Sequence, residues 1–149
     1  MAKKNRILSV LFVLYCAVML YLLLCRANAS KTIPYTDQLI TRLNLIPFQT
    51  LRQQFCFLSL RGNPVLVRHA VINLVGNVVM FIPLGLFLPT LWPRLRTLRK
   101  VLLRCAMAIA LVEITQALIL TGWCDIDDLL LNLLGASIGY GIFRKIHPE

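Results

Sequence analysis

Nineteen consecutive residues, ILSVLFVLYCAVMLYLLLC from Ile7 to Cys25, carry no charge. That is close to the ~20 apolar residues a helix needs to cross the hydrocarbon core of a bilayer. Three further apolar stretches follow, at about 69–91, 101–120 and 129–143. Water does not reach the backbone in a bilayer core, so each stretch must satisfy its own amides and carbonyls as a helix. The expected fold class is therefore all-α, an integral membrane bundle of four transmembrane helices. Composition agrees, because 58% of the 149 residues are hydrophobic, more than a soluble domain of this length can bury.

The charges carry orientation. Lysine and arginine total 16 against 6 acidic residues, but they flank apolar runs instead of forming one stripe, which argues against nucleic acid as a partner. Basic residues precede the first span (Lys3, Lys4, Arg6), fill the turn between the second and third (Arg94, Arg96, Arg99, Lys100) and follow the fourth (Arg144, Lys145). The positive-inside rule puts these three segments, and so both termini, in the cytoplasm. The bias is weakened by Arg26, Lys31, Arg42, Arg52, Arg61 and Arg68 in the long outer connection. Residues 1–6 read as a cytoplasmic N-terminus, 7–25 as an anchor and 26–42 as an outer loop. Ala27-Asn28-Ala29 resembles a signal-peptide cleavage site, but the apolar run exceeds the usual h-region and favours an uncleaved anchor. Within Leu43 to Leu60 the polar residues Arg52, Gln53 and Gln54 interrupt the apolar ones, predicting an interfacial or re-entrant helical segment or a loop packed over the bundle. Cysteine spacing suggests no metal site, and a Cys56–Cys124 disulfide on the outer side is the one pairing the topology allows.

Polar residues inside the spans are costly and point to function. Asn73 and Asn77 are spaced i,i+4, Glu113 and Gln116 i,i+3, and Asp128 and Asn132 i,i+4, with Asp125 three residues ahead of Asp128. Each set shares one helix face. At ~1.5 Å per residue, Glu113 and Gln116 lie roughly 6–12 Å below the outer end of their span, and the other sets reach a similar level. Three spans thus bring polar groups to one layer, and Glu113 must be protonated, paired or wet. Arg61 and Arg68 are the candidate cations. The acidic run of Asp125, Asp127 and Asp128 also suits capping at a helix N-terminus, and the buried amides also suit polar contacts between helices. Gly135 and Gly139 stand at GxxxG spacing, which permits close helix approach within the bundle or in a homo-oligomer.

Taken together, NLVGNVVMFIPLGLFLP (Asn73 to Pro89), EITQ (Glu113 to Gln116) and DIDDLLLNLLGASIGY (Asp125 to Tyr140) resemble the VanZ-like family of bacterial membrane proteins. The upstream NLIPF (Asn44 to Phe48) is similar to that family's pattern, and the VanZ-like domain would occupy 43–149. The family's characteristic residues fall on Asn73, Pro83, Gly85, Glu113, Gln116, Asp125, Asp128, Asn132 and Gly135. Members often carry an arginine just ahead of the first aspartate, but here the turn reads Thr121-Gly122-Trp123-Cys124-Asp125. The resemblance implies a multi-pass cell-membrane protein, of a family named for a member giving low-level teicoplanin resistance.

Three readings follow. In the first, Asn73, Asn77, Glu113, Gln116, Asp125, Asp128, Asn132, Arg61 and Arg68 form an outer-leaflet pocket that either binds a lipid-linked cell-wall precursor or alters envelope properties so that glycopeptides are less effective. In the second, Glu113 and Asp128 are catalytic carboxylates of an intramembrane enzyme, with Asp125, Asp127 and Asp128 as weak ligands for a divalent cation. No other cofactor is indicated. In the third, the chain is an accessory membrane subunit without a site.

Overall fold

The computed structural model describes residues 2–25, 32–59 and 63–148. Four long helices account for the four apolar stretches: α1 (Ala2–Leu24), α4 (Pro64–Leu91), α5 (Leu98–Leu118) and α6 (Ile126–Ile146). Each is long and apolar enough to cross a membrane. They extend a few residues beyond the expected spans, since helices continue through the polar flanks where end groups find partners. Asn63 begins α4 by accepting from the Val65 and Leu66 amides, with Pro64 next to it at a position that needs no amide partner.

The first connection is more structured than an interrupted apolar run suggests. It contains a short helix α2 (Tyr35–Thr41), a two-residue strand β1 (Leu43–Asn44) and an amphipathic helix α3 (Gln49–Ser59). Strand β1 pairs in parallel with β2 (Cys124–Asp125), the residues immediately ahead of α6. This two-residue ladder was not expected, and it joins segments about 80 residues apart at one end of the bundle. All five described acidic residues (Asp37, Glu113, Asp125, Asp127, Asp128) occur toward that end, while Arg94, Arg96, Arg99, Lys100, Arg144 and Lys145 are exposed toward the other.

The α4–α6 contact is the tightest in the bundle. A Cβ on Gly135 would collide with the Val78 carbonyl, one on Gly139 with the Ile82 carbonyl, and one on Gly85 with the Ala136 carbonyl. Lipid tails are as apolar as leucine, so helices in a membrane associate through close packing more than through the hydrophobic effect. Small residues let two backbones touch, and Ala136 is fully buried in the seam. Gly135 and Gly139 are therefore engaged within the chain, and this face is covered by α4 instead of being open to a second copy.

Helix α5 packs on the other side of α6 through a fourfold-spaced stripe of Val101, Cys105, Ile109, Glu113 and Ala117, all buried. Helix α1 is held more sparingly. Phe12 meets Phe87 and Trp92 edge-on, Met19 is buried, and the Tyr15 hydroxyl donates to the Met80 carbonyl at 2.7 Å. Pro83 deprives the neighbouring Val79 carbonyl of its usual helical amide, so this bond braces α4 in the turn that proline loosens. Most of α1 otherwise presents leucine, valine and tyrosine outward, as a lipid-facing helix should.

Valine at Gly135 or Gly139 is expected to lower the thermal midpoint of the detergent-purified protein by the equivalent of ~1–3 kcal/mol or more. Alanine at Gly141, where a Cβ would meet nothing within 4 Å, should leave it unchanged or raised. Equal losses at all three positions would contradict a backbone-to-backbone seam.

Candidate functional site

The acidic end is assembled from three neighbouring aspartates with three separate tasks. Asp125 is the N-cap of α6, its Oδ1 accepting from the Asp127 amide at 2.9 Å. Its Oδ2 accepts from Asn44 Nδ2 at 3.2 Å and from Thr50 Oγ1 at 2.5 Å. Asp127 is fully buried and points to α3, taking the Phe48 amide at 2.6 Å on one oxygen and the Leu51 amide at 3.0 Å on the other. It thereby caps a helix whose bonded amides lie 76 and 79 residues earlier in the chain. Two amide donors offset much of the desolvation of a buried carboxylate, and the helix dipole adds to this. Phe48 itself sits in the left-handed region at φ 65°, a conformation costing of order 1 kcal/mol or more that the Asp127 contact helps to hold.

Asp128 turns a further ~100° around α6 and faces α4. Its Oδ1 accepts from Asn77 Nδ2 at 2.6 Å and, more distantly, from Asn73 Nδ2 at 3.4 Å. Among the described residues its other oxygen has no hydrogen bond. The i,i+4 spacing of the two asparagines thus serves one carboxylate.

Asp125, Asp128, Asn73 and Asn77 line a single cleft of about 880 Å³. The α1 residues Leu22 and Leu23, together with Leu45, Ile46, Ile72 and Met80, give it an apolar wall, and Asn44, Thr50, Gln49, Gln53, His69 and Trp123 supply polar and aromatic groups. This is the mixture a site for an amphiphile requires, an apolar enclosure with a few placed polar groups.

The remaining expected residues are distributed differently. Glu113 is buried and within electrostatic reach of Asp128 and Asp125, but it does not line the cleft. Gln116 turns toward α1, where Nε2 donates to the Leu23 carbonyl at 2.7 Å and satisfies one of the free carbonyls at that helix end. Asn132 is buried one turn beyond Asp128 and is also outside the cleft. Among the described residues, Glu113 Oε1 and Asn132 Oδ1 are buried without a hydrogen-bond partner. Arg68 is exposed and not part of the cleft lining; Arg61 lies outside the described residues.

The three aspartates do not converge on a common point, and no group of three potential metal ligands gathers among the described residues. Cys56 is exposed, Cys124 half-buried, and both are free thiols. Burial pushes the Cys124 thiol up, and Glu113 and Asp125 nearby add to this, so the thiolate needed for reactivity is disfavoured.

Sequence reasoning missed Asn44 and Thr50 as partners of Asp125, and Arg42 as the brace of the acidic turn. Arg42 is buried, its carbonyl accepts from the Cys124 amide at 2.9 Å, and its guanidinium donates to the Gly122 carbonyl at 3.1 Å. The quoted NLIPF stretch was a signal for Asn44 alone; Thr50 lies just beyond it.

Residues 12–147 match the sequence profile described as VanZ/LLP1. The chain belongs to the VanZ/LLP1 family. No curated protein and no solved structure matches it. The matched region takes in every residue of the cleft, and the four apolar helices fit a VanZ-like membrane protein. The residue ahead of the first aspartate of the acidic run is Cys124 in this chain, and Arg42, at the C-terminal end of α2, donates to the Gly122 carbonyl of the same turn.

Asp127→Ala should speed hydrogen exchange of the first-turn amides of α3 by an amount matching the ~1–2 kcal/mol loss of a cap. Asp128→Ala should leave those amides protected. Similar exchange in both variants would refute the division of labour between the two residues.

Proposed function

We propose that this member of the VanZ/LLP1 family stands in the cell membrane with its acidic end at the outer face and its termini in the cytoplasm. In that position the cleft engages the headgroup of a lipid-linked, cell-wall-related amphiphile, contributing to envelope homeostasis and to lowered susceptibility to glycopeptides of the teicoplanin type. The observation that carries the reading is the cleft itself, in which polar side chains from α3, α4 and α6 face an apolar wall of α1 and α4. A headgroup would meet Asp128 and its asparagines while its chain lies along helices that already face lipid. Orientation is supported by the exposed arginines and lysines at the opposite end.

A second reading is favoured by one feature. Asp128 keeps one oxygen without a hydrogen bond among the described residues, close to the buried Glu113. A carboxylate so placed suits proton abstraction from a bound headgroup, with Glu113 as a second carboxyl behind it. Turnover would then accompany binding.

Replacing Asp128 by Asn, or Asn77 by Leu, should weaken binding of the headgroup about 10–100-fold, as expected when a charge-assisted hydrogen bond worth ~1.5–3 kcal/mol is lost. In cells, both variants should match a deletion strain in teicoplanin susceptibility while reaching normal membrane levels. Asp37→Asn, on exposed α2, serves as the control. Unchanged susceptibility in the cleft variants, beside a clear deletion phenotype, would overturn the proposed role of the cleft. A precursor that accumulates in Asp128→Asn cells would select turnover over binding alone.

A further inference from the structure

The charge of the cleft restricts what it can hold. Among its described lining residues are two carboxylates, Asp125 and Asp128, no lysine and no arginine, with His69 the only basic side chain. Arg42, the nearest buried arginine to the acidic turn, donates to the Gly122 carbonyl instead of lining the cleft. A phosphate brought against Asp128 would meet like charge at short range, a repulsion that low local dielectric makes larger than in water.

The hydrogen bonds add direction. Asn77 and Asn73 both donate to the same oxygen of Asp128. The carboxylate is thereby fixed in orientation, and its second oxygen, without a hydrogen bond among the described residues, can accept from a ligand. Trp123, on the same acidic turn, lines the same cleft and is 58% exposed. An indole face next to carboxylates is a recurring means of recognising ammonium groups, because the ring quadrupole attracts a cation that carboxylates alone would leave hydrated.

We propose that the headgroup held in the cleft is cationic at its contacting end, an amine that meets the second oxygen of Asp128 with Trp123 as its aromatic wall. This rests on the reading of the cleft as an amphiphile site and narrows it to one charge class. Any phosphate in the same molecule would lie toward the mouth, away from Asp125 and Asp128. The amine has two sources, a zwitterionic phospholipid or the amino group of a lipid-linked peptide, and both present the same ammonium to the carboxylate.

The test uses the full chain, purified in detergent, and measures binding by thermal shift and by quenching of tryptophan fluorescence. Probes share one acyl length and differ in headgroup: phosphoethanolamine, phosphocholine, phosphoglycerol, and an acylated lysine beside its Nε-acetyl counterpart. Amine-bearing probes should bind at least about tenfold more tightly than phosphoglycerol. Acetylation should abolish binding of the acyl-lysine if the peptide-type amine is the source. A phospholipid source would instead show phosphoethanolamine binding most tightly, ahead of phosphocholine, whose quaternary nitrogen has no N–H to donate. Trp123→Ala, at an exposed position where folding is spared, should remove the preference for amines, and Trp123→Phe should retain most of it; Asp128→Asn should weaken the amine probes alone. Thermal shift follows the tryptophan variants, whose fluorescence change differs.

Phosphoglycerol binding as tightly as the amines would overturn the charge assignment and leave the amphiphile cleft standing. Binding of no probe, or binding indifferent to Trp123→Ala, Asp128→Asn and Asn77→Leu together, would overturn both.

Discussion

Everything at the acidic end depends on how closely α4 and α6 approach. Their backbones touch at three places, through Gly85, Gly135 and Gly139. In lipid there is little gain from hiding one leucine behind another, so contact of this kind supplies attraction that larger side chains would prevent. The seam also sets a register. It continues in the direction of Asp128 on α6 and of Asn73 and Asn77 on α4, and only at that separation does a short aspartate reach Asn77 at 2.6 Å and Asn73 at 3.4 Å. Larger residues at the glycines would separate the helices and pull these donors from their acceptor.

The acidic run then distributes itself by helical geometry. Asp125 precedes the first turn of α6 and caps it, Asp127 faces α3, and Asp128 faces α4. Successive residues of a helix point ~100° apart, so adjacent acids are delivered to different neighbours and their mutual repulsion is relieved by separate sets of donors. This geometry gives a structural duty to Asp127 and leaves Asp128, which lines the cleft, as the acid with one oxygen that has no hydrogen bond among the described residues. Capping of α6, capping of α3 and the contact to α4 are combined in four residues because each uses a different direction from the same helix end.

The membrane acts on the design as a solvent. Helix α1 is thinly attached, through Tyr15, Phe12, Met19 and the Gln116 bond to its last turn, and its exposed apolar surface needs no protein cover in lipid. Yet Leu22 and Leu23 close one side of the cleft. A wall held by few contacts and bordered by acyl chains suits a ligand that shares the bilayer with the protein. Helix α3 closes another side, tied down by Asp127 at its start and presenting Gln49 and Gln53 to the cleft.

Much of this was legible in the residues themselves. Apolar runs of about 20 residues dictate spanning helices, since lipid offers no other partner for backbone groups, and the spacing of Asn73 with Asn77 and of Asp125 with Asp128 predicts shared faces. Polar residues on several spans also announced a common level. Which of them would meet was decided by packing alone: Glu113 and Asn132 are buried outside the cleft, Gln116 is drawn to α1, and Asn44, Thr50 and Arg42 arrive from the first connection, where the period of a short helix marks its faces but not its partners. Periodicity is a local property and survives in the sequence, whereas the partner across a helix seam, or 75 residues away, is chosen by how backbones approach in three dimensions.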